Sequence, residues 1–136
     1  MLTIGKLAAR ADVTPDALRF YEREGLIAPT TKSEGGYRLY EEGATHRLRF
    51  IQHAQQCGFT LAEIRELLSL QSRKNACCDD VRSKVVEKKL QLESKIRAMK
   101  AMSKALDVLI ADCNGGEWPA SECPILSALE RADQTI

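Results

Sequence analysis

Apolar and polar positions alternate at helical spacing in two short segments near the N-terminus. In "TIGKLAARADV" one helix face would carry four apolar residues, Ile4, Leu7, Ala8 and Ala11. In "VTPDALRFYEREG", Thr14 suits an N-cap, Pro15 suits the first helical position, and Gly25 suits a left-handed C-cap. Two short helices separated by a tight turn predict a helix-turn-helix, whose second helix would enter the major groove of DNA.

The pattern changes after Gly25 to one typical of short strands. The stretch "LIAPTTKSEGGYRLY" contains Gly35 and Gly36, which adopt positive φ at little cost, and side chains 37–40 alternate as they would along a strand. We predict a small hairpin, or wing, beside the helix-turn-helix. Three of its side chains could contact the phosphates and sugars of DNA: Lys32, Tyr37 and Arg38.

Two further amphipathic helices are predicted between residues 41 and 72. The first, "HRLRFIQHAQQCG", would end at Gly58, and the second, "TLAEIRELLSL", would begin with a capping box formed by Thr60 and Glu63. Cys57 stands at the end of the first helix. Because free cysteine is among the residue types most often buried, we interpret Cys57 as a small core residue and not as a ligand.

The sharpest periodicity lies in the second half of the chain. Six residues recur every seven positions: Cys78, Val85, Leu92, Met99, Leu106 and Cys113. Ile96 and Ile110 occupy the intervening d-type positions, which predicts a coiled-coil seam. A single helix with one apolar stripe must bury it, and a second copy of the chain is the simplest partner. The predicted regions are therefore a DNA-binding head (1–40), connecting helices (41–72), a dimerisation helix (73–113), and a loop and tail (114–136).

Composition narrows the compartment and the chemistry. The net charge of +1 argues neither for nor against nucleic acid, because binding needs a basic face and not a basic total. The N-terminus lacks an apolar signal region, and no apolar run is long enough to span a bilayer, so we expect a cytoplasmic protein without a membrane partner. Five cysteines in a reducing compartment indicate metal or redox chemistry more than structural disulfides.

The cysteines can be combined into one site only if two chains contribute. A continuous helix over residues 78–113 would separate Cys78 from Cys113 by roughly 50 Å. An antiparallel dimer would instead place Cys78 of one chain beside Cys113 and Cys123 of the other, which flank the loop "CNGGEWPASEC". We therefore predict a metal site shared between chains, twice per dimer by symmetry. Four side chains could add a further ligand: Cys77, Asp79, Asp112 or Glu117.

Four segments carry a resemblance to a known family: "TIGKLAARADVTPDALRFYEREGLI", "EGGYRLY", "RLRFIQHAQQCGFTLAEIRELLSL" and "CPILSALE". Together they resemble the MerR family of transcription regulators, and the cysteine pattern resembles its divalent-metal branch of zinc, cadmium, lead and mercury sensors. The resemblance covers nearly the entire chain. It implies a mostly α fold, with a winged helix-turn-helix head, connecting helices, a long helix forming an antiparallel coiled-coil dimer, and a C-terminal metal-binding loop.

The resemblance also implies a function and a set of DNA contacts. Such regulators bind double-stranded promoter DNA as homodimers and, when metal binds, distort it so that RNA polymerase can activate metal-resistance or efflux genes. Arg19 and Tyr21 on the second helix match positions that grip the operator in relatives, as do Tyr37 and Arg38 in the wing. Thr14 and Lys6 are expected to contact the DNA backbone. An alternative role for Arg19 stays open, in which its side chain forms an ion pair with Asp16 or Glu22 on the same helix and does not contact DNA.

The identity of the metal depends on the ligand set. Copper and gold sensors of the family have serine where this chain has Cys78, so the resemblance implies a divalent ion. Three thiolates from Cys78, Cys113 and Cys123 match mercury, cadmium and lead, whereas zinc prefers four ligands. Close zinc sensors carry cysteine and histidine where Asn114 and Trp118 stand here, although a fourth ligand such as Cys77 would still allow zinc.

Two other classes of function compete with this one. A regulator of the same fold could sense oxidation through Cys113 and Cys123, or through Cys77 and Cys78. An enzyme is the least favoured class, because the sequence lacks a C-x-x-C motif on a βαβ pattern and a plausible cysteine–histidine pair. We therefore expect a metal-responsive regulator without catalytic residues.

Overall fold

The computed structural model describes residues 1–131 and divides into two compact units, one ending at Lys88 and the other beginning at Lys89. The first unit contains three short strands, β1 (Leu2–Thr3), β2 (Thr31–Lys32) and β3 (Arg38–Tyr40), and four helices, α1 (Ile4–Ala11), α2 (Pro15–Arg23), α3 (Ala44–Gln56) and α4 (Leu61–Ser72). A long helix, α5 (Cys78–Asp112), begins in the first unit and continues into the second, followed by a 3-10 turn (Ala120–Glu122) and α6 (Pro124–Glu130). The last part of the predicted tail, residues 132–136, lies outside the described residues.

Local capping interactions determine where the first two helices begin and end. The side chain of Thr3 accepts a hydrogen bond from the Lys6 N–H at 3.3 Å, and the side chain of Thr14 accepts one from the Ala17 N–H at 3.1 Å. Both bonds satisfy backbone donors that a helix start leaves unpaired. The chain leaves α2 through Gly25, whose φ of 76° is in the left-handed region. The predicted helix-turn-helix is therefore confirmed.

The predicted wing is also present, within a sheet of three strands ordered β1-β3-β2. Strand β3 pairs antiparallel with β2, with Arg38 opposite Lys32. Gly36 has φ of 85° in the connecting turn, which explains the glycine at that position. The edge strand β1 was not predicted, because its two residues precede a helix directly and pair with a segment distant in sequence, Leu2 with Tyr40.

The core of the first unit lies between α1, α2, α3, α4 and the inner side of β3. The largest fully buried side chains are Tyr40, Leu7, Leu18, Leu26, Leu48, Ile51 and Ile64. Each such side chain contributes on the order of 2 kcal/mol through removal of apolar surface from water. Leu18 fastens one face of α2 to this core, which leaves the opposite face, including Asp16, Arg19 and Arg23, exposed.

Two arginines fasten the C-terminal end of α2 to the connecting helices. The Arg47 side chain, on α3, donates to the Leu26 carbonyl at 2.6 Å. The Arg65 side chain, on α4, donates to the Glu24 carbonyl at 2.7 Å. Glu24 is the C-cap of α2, where carbonyls lack partners within the helix and positive charge is favourable, whereas Leu26 lies in the segment that follows. These bonds therefore fix the orientation of α2 relative to α3 and α4.

The connecting helices are present as α3 and α4, but Cys57 does not have its predicted role. The capping box of α4 is complete, since Thr60 Oγ1 accepts from the Glu63 N–H and Glu63 Oε1 accepts from the Thr60 N–H. Cys57 is exposed, so its assignment to the core was wrong. The chain turns at Gly58, where φ is 91°, and Phe59 packs against the core in place of the cysteine.

The long helix begins at Cys78, and residues 73–77 precede it without helical structure. The Cys77 N–H donates to Asp80 Oδ2 at 2.8 Å, a side-chain cap for the start of α5. Cys77 and Cys78 therefore do not both lie on one regular helix. The structure leaves the side chains of both cysteines exposed.

Lys88 is a buried charge that ties α5 to the start of α4. Its Nζ lies 2.7 Å from Glu63 Oε1 and 5.7 Å from the centroid of the Phe59 ring. The hydrogen bond from Lys88 is the main cause that lowers the pKa of Glu63 from its ordinary 4.5 to about 2, and the Thr60 N–H adds to it. A carboxylate and an ammonium thus replace their lost hydration with each other and with an aromatic face.

We predict that Lys88→Met lowers the free energy of unfolding by about 1 to 2 kcal/mol, because it leaves a partly buried carboxylate without its cation. Since the pKa of Glu63 is lowered in the folded protein, its stabilising effect is complete above about pH 4.5 and is lost as the pH falls towards about 2. In Glu63→Gln, the free energy of unfolding should therefore fall less steeply between pH 4.5 and pH 2 than in the unaltered protein. Urea denaturation at several pH values across this range measures the difference. Lys84→Met breaks only the exposed pair with Glu66 and should change stability little.

The second unit leaves a long apolar stripe on α5 exposed in the single chain. Its exposed heptad residues are Leu92, Ile96, Met99, Leu106 and Ile110, and Val85 continues the stripe in the first unit. Apolar surface of this extent usually marks a surface that another molecule covers. Within residues 1–131, no helix combines the length and apolar character required to cross a membrane.

Candidate metal centre and nucleic-acid interface

Two of the predicted metal ligands, Cys113 and Cys123, lie together. Cys113 directly follows α5, Cys123 precedes α6, and their sulfur atoms are 3.9 Å apart. Both are free thiols and both are half-buried. The loop between them can close because Gly115 and Gly116 have φ values of 83° and 103°. Residues ten positions apart in the sequence are thereby brought into one site.

Backbone N–H groups favour the anionic form at this site, one by a direct contact with Cys113 and others by lowering the pKa of Cys123. The Gly115 N–H lies 3.4 Å from Cys113 Sγ. The pKa of Cys123 is lowered by the Ile125 N–H and then by the Leu126 N–H at the start of α6, against the opposing effect of burial. Donors directed at a sulfur favour its anionic form, which is the form that binds metal. The lowered pKa of Cys123 therefore favours the metal-binding form of this thiol.

The separation of the two sulfurs fits a shared metal ion. At the zinc–sulfur bond length of about 2.3 Å, two ligand sulfurs lie about 3.8 Å apart in tetrahedral coordination and about 4.0 Å apart in trigonal coordination. The observed 3.9 Å matches a site with three or four ligands. The two thiols thus lie close enough together to share one metal ion.

The described part of one chain does not supply those further ligands. Among residues 1–131, no group of three or more His, Cys, Asp and Glu side chains could hold a metal ion. Cys78, the third predicted ligand, is the exposed first residue of α5, and Cys77 is exposed beside it. The other predicted alternatives, Asp79, Asp112 and Glu117, are also exposed. Cys113 and Cys123 therefore form a pair of thiols that is a candidate two-thiol half site.

Three of the predicted DNA contacts, Arg19, Tyr37 and Arg38, line one hollow of the head. A hollow of about 250 Å³ between α2 and the wing is lined by Thr3, Ile4, Arg19, Gly36, Tyr37 and Arg38. Tyr37 is 73% exposed. Lys32 on β2 lies opposite Arg38 on β3 in the strand register of the wing. Lys6 is exposed on α1, and Thr14 is exposed while capping α2. Cationic and aromatic side chains on neighbouring elements suit a DNA backbone.

The two arginines of this surface are both ion-paired, but in different surroundings. Arg19 Nη1 lies 2.7 Å from Asp16 Oδ1 on the same helix, as the alternative role for Arg19 predicts. Arg38 Nη1 pairs with Glu22 Oε2, so it bridges the wing and α2. Glu22 was not singled out from the sequence for the wing, because it is distant from Arg38 along the chain and no local pattern links them. Spatial pairing of this kind has no signal in a single sequence.

Tyr21 is placed differently from the other predicted DNA contacts. It is buried, and its hydroxyl donates to Gln55 Oε1 on α3 at 3.0 Å. Its side chain therefore belongs to the packing between α2 and α3. A contact between Tyr21 and DNA stays a prediction, but its hydroxyl is already engaged within the head.

Family models match most of the chain. Residues 2–71 match the MerR HTH family regulatory protein model, and residues 45–109 match a second model, MerR, DNA binding. The chain belongs to the MerR family. Members of this family are DNA-binding transcription regulators, so this MerR protein is a regulator and not an enzyme.

Individual relatives span nearly the full length of this MerR protein. The HTH-type transcriptional regulator ZntR of Escherichia coli (strain K12) is 39% identical over 132 residues, covering 96% of this chain and 94% of ZntR. Heavy metal-dependent transcription regulator 2 of Rhizobium meliloti (strain 1021) is 34% identical, covering 99% and 90%. The structure of PbrR691 from Ralstonia metallidurans CH34 in complex with lead(II) matches with a TM-score of 0.86, 36% identity, and coverage of 95% and 99%. The predicted fold class is confirmed.

Proposed function

We propose that this MerR protein is a metal-responsive activator that binds promoter DNA as a homodimer and responds to a divalent soft ion. The observation that carries the proposal is the pair of sulfurs, Cys113 and Cys123, held 3.9 Å apart. A bound ion would draw these thiolates and a third ligand into one coordination shell. Its bonds would connect the loop to the element that carries the third ligand, a connection that the single chain does not make. Cadmium, lead and mercury suit three thiolates, and zinc would need a fourth ligand such as Cys77.

A second copy of the chain is the proposed source of the third ligand. Cys78 is the first residue of α5 and Cys113 directly follows its last, so an antiparallel pair of α5 helices would bring Cys78 to the partner's two-thiol half site. The exposed apolar stripe along α5 supports such a pairing, since its burial is the driving force that a coiled coil uses. Symmetry then gives two metal sites per dimer.

The similar proteins support a metal as inducer. One is named a heavy metal-dependent regulator, and another was crystallised with lead(II). In this proposal Cys78, Cys113 and Cys123 hold the ion, while Arg19, Tyr37, Arg38, Lys6, Lys32 and Thr14 contact promoter DNA. Activation would follow from distortion of the promoter DNA, which changes the geometry that RNA polymerase meets. Linkage requires that the activating arrangement bind metal more tightly.

The test is an anaerobic titration of the reduced protein with mercury(II), cadmium(II), lead(II), zinc(II) and copper(I). Thiolate-to-metal absorption and equilibrium dialysis give the stoichiometry and rank the ions. We expect one divalent ion per chain, bound far more tightly than copper(I). Tight copper(I) binding at one per chain with weak divalent binding would contradict the proposal. Transcription in vitro from a promoter fragment, with and without the preferred ion, then tests activation.

The wing contact gives a separate prediction for DNA binding. Arg38→Ala should weaken binding by about tenfold on all sequences and lower the slope of log affinity against log salt by about 1, because one phosphate contact is lost. Fluorescence anisotropy at several salt concentrations measures both quantities. Lys95→Ala removes an exposed charge of α5 that is not a predicted contact and should leave the slope unchanged. A loss confined to one base pair would instead indicate direct readout by Arg38.

Redox sensing is the second candidate, favoured by the same short distance. Two free thiols 3.9 Å apart could form a disulfide by giving two electrons and two protons to an oxidant such as a peroxide. The two functions separate under anaerobic conditions. Activation by metal without oxygen supports the metal sensor, whereas activation only by peroxide, without metal, supports the redox sensor.

A further inference from the structure

Glu22 is a nearly buried carboxylate on the DNA-facing helix α2. Its side chain is only 11% exposed, and its Oε2 accepts a hydrogen bond from Arg38 Nη1 of the wing. Its other oxygen, Oε1, is buried and has no hydrogen-bond partner within the described residues. Removing a carboxylate from water is costly unless a cation and hydrogen bonds compensate it. Arg38 is therefore the group that makes this position tolerable for Glu22.

Arg38 can bind a second anion without leaving Glu22. A guanidinium has five N–H donors, and Arg38 keeps half of its side chain exposed while Nη1 contacts the carboxylate. It lines the hollow shared with Tyr37 and also a second hollow of about 460 Å³, lined by Arg19, Glu22, Arg23, Ile27, Ala28, Pro29 and Arg38. The guanidinium therefore joins α2 to the wing, while half of the Arg38 side chain stays exposed to solvent.

We propose that Glu22 is a positioning residue for DNA binding: it holds the guanidinium of Arg38 between α2, the recognition helix, and the wing, where the remaining N–H donors of Arg38 meet a backbone phosphate. The pair thereby joins α2 and β3 into one binding surface. A fixed guanidinium loses less freedom on binding than a mobile one, which raises affinity. This inference rests on the proposed contact between Arg38 and phosphate.

The opposite effect, in which Glu22 competes with DNA for Arg38, is disfavoured by burial. Competition would require Arg38 to leave, and an uncompensated carboxylate would remain nearly buried. The neighbouring pair shows the contrast. Asp16 is 91% exposed, so its pair with Arg19 is screened by water and a phosphate can displace it at little cost. Glu22 and Asp16 are thus acidic residues on the same helix, but Glu22 is nearly buried and depends on Arg38, whereas Asp16 is exposed to water.

The test compares two matched variants, Glu22→Gln and Asp16→Asn, each of which removes one negative charge from α2. Binding to a fluorescein-labelled duplex of mixed sequence is followed by anisotropy at low ionic strength. We expect Glu22→Gln to lower affinity by about tenfold, the scale of one charged contact. Asp16→Asn should leave affinity unchanged or raise it slightly. In the Arg38→Ala background, Glu22→Gln should have no further effect.

Three results would overturn the inference: Glu22→Gln raises affinity as Asp16→Asn does, leaves it unchanged, or lowers it equally with and without Arg38. Circular dichroism confirms that each variant is folded. If Glu22→Gln does not fold, Glu22→Met replaces it, because an apolar side chain of similar length removes the buried charge, and the same loss is expected. If Arg38→Ala leaves the salt slope unchanged, the proposed phosphate contact fails. If Arg38→Ala lowers the salt slope but Glu22→Gln binds DNA as the unaltered protein does, only the positioning role of Glu22 is overturned.

Discussion

Replacing Cys78 with serine should abolish the response to divalent metal while leaving affinity for promoter DNA close to that of the unaltered protein. A hydroxyl is a poor ligand for a soft ion, and the half site formed by Cys113 and Cys123 would keep only two thiolates. We expect divalent affinity to fall by on the order of 100-fold or more, since even the loss of an outer partner of a ligand costs 10- to 100-fold. Competition with a chromophoric chelator measures this change.

Cys57→Ser is the matched control for this variant. Cys57 is an exposed free cysteine at the end of α3 and belongs to no proposed ligand set, so its replacement should change neither metal affinity nor DNA binding. Cys77→Ser tests the fourth ligand, and a selective loss of zinc affinity would assign Cys77 that role. Loss of DNA binding or of dimer formation in Cys78→Ser would contradict a purely sensory role for this residue.

Mixing two inactive variants should restore half of the metal sites. In an antiparallel dimer, Cys78 of one chain completes the half site of the other. A Cys78→Ser chain paired with a Cys113→Ser/Cys123→Ser chain then contains one intact site and one site without thiolates. Each homodimer alone should bind no divalent ion tightly, whereas the mixed dimer should bind one ion per two chains. Differently tagged chains, co-expressed and purified through both tags, provide the mixed dimer for titration.

The complementation result distinguishes the arrangement of the helices from the identity of the ligands. If all three cysteines acted within one chain, the mixed dimer would contain no complete site and no affinity would return. If the chains paired in parallel, Cys78 of one would lie beside Cys78 of the other, and the mixture would fail as well. A control mixture of unaltered and Cys78→Ser chains should likewise bind one ion per two chains.

The features predicted correctly are those that depend on neighbours in the sequence. Thr14 and Gly25 delimit α2 through bonds and dihedral angles within a few residues, and the Thr60–Glu63 capping box is equally local. The thiol pair Cys113 and Cys123 could also be anticipated, because a short loop rich in small residues connects the two cysteines. Interactions between residues that are close in the sequence can therefore be recognised from the types and spacing of those residues.

The features not predicted depend on contacts between distant segments. The pairing of β1 with β3, the ion pair between Glu22 and Arg38, and the engagement of Tyr21 with Gln55 each join parts of the chain that no periodicity links. Cys57 was misassigned because residue type predicts burial only on average, whereas the turn at Gly58 directs the next apolar residue, Phe59, inward. The partner that covers α5 stays a prediction, as does Cys78 as a ligand.

The bonds that Arg47 and Arg65 make to the Leu26 and Glu24 carbonyls bear on how DNA geometry could change at all. They tie the C-cap of α2 and the segment after it to two different helices, so a pivot of α2 within its own head would strain these bonds. In the proposed dimer, the distance and twist between the two recognition helices would then be adjusted by moving each head as a whole. Each DNA-binding head would then move as a rigid body, and the change that remodels the promoter would take place outside the surfaces that contact DNA.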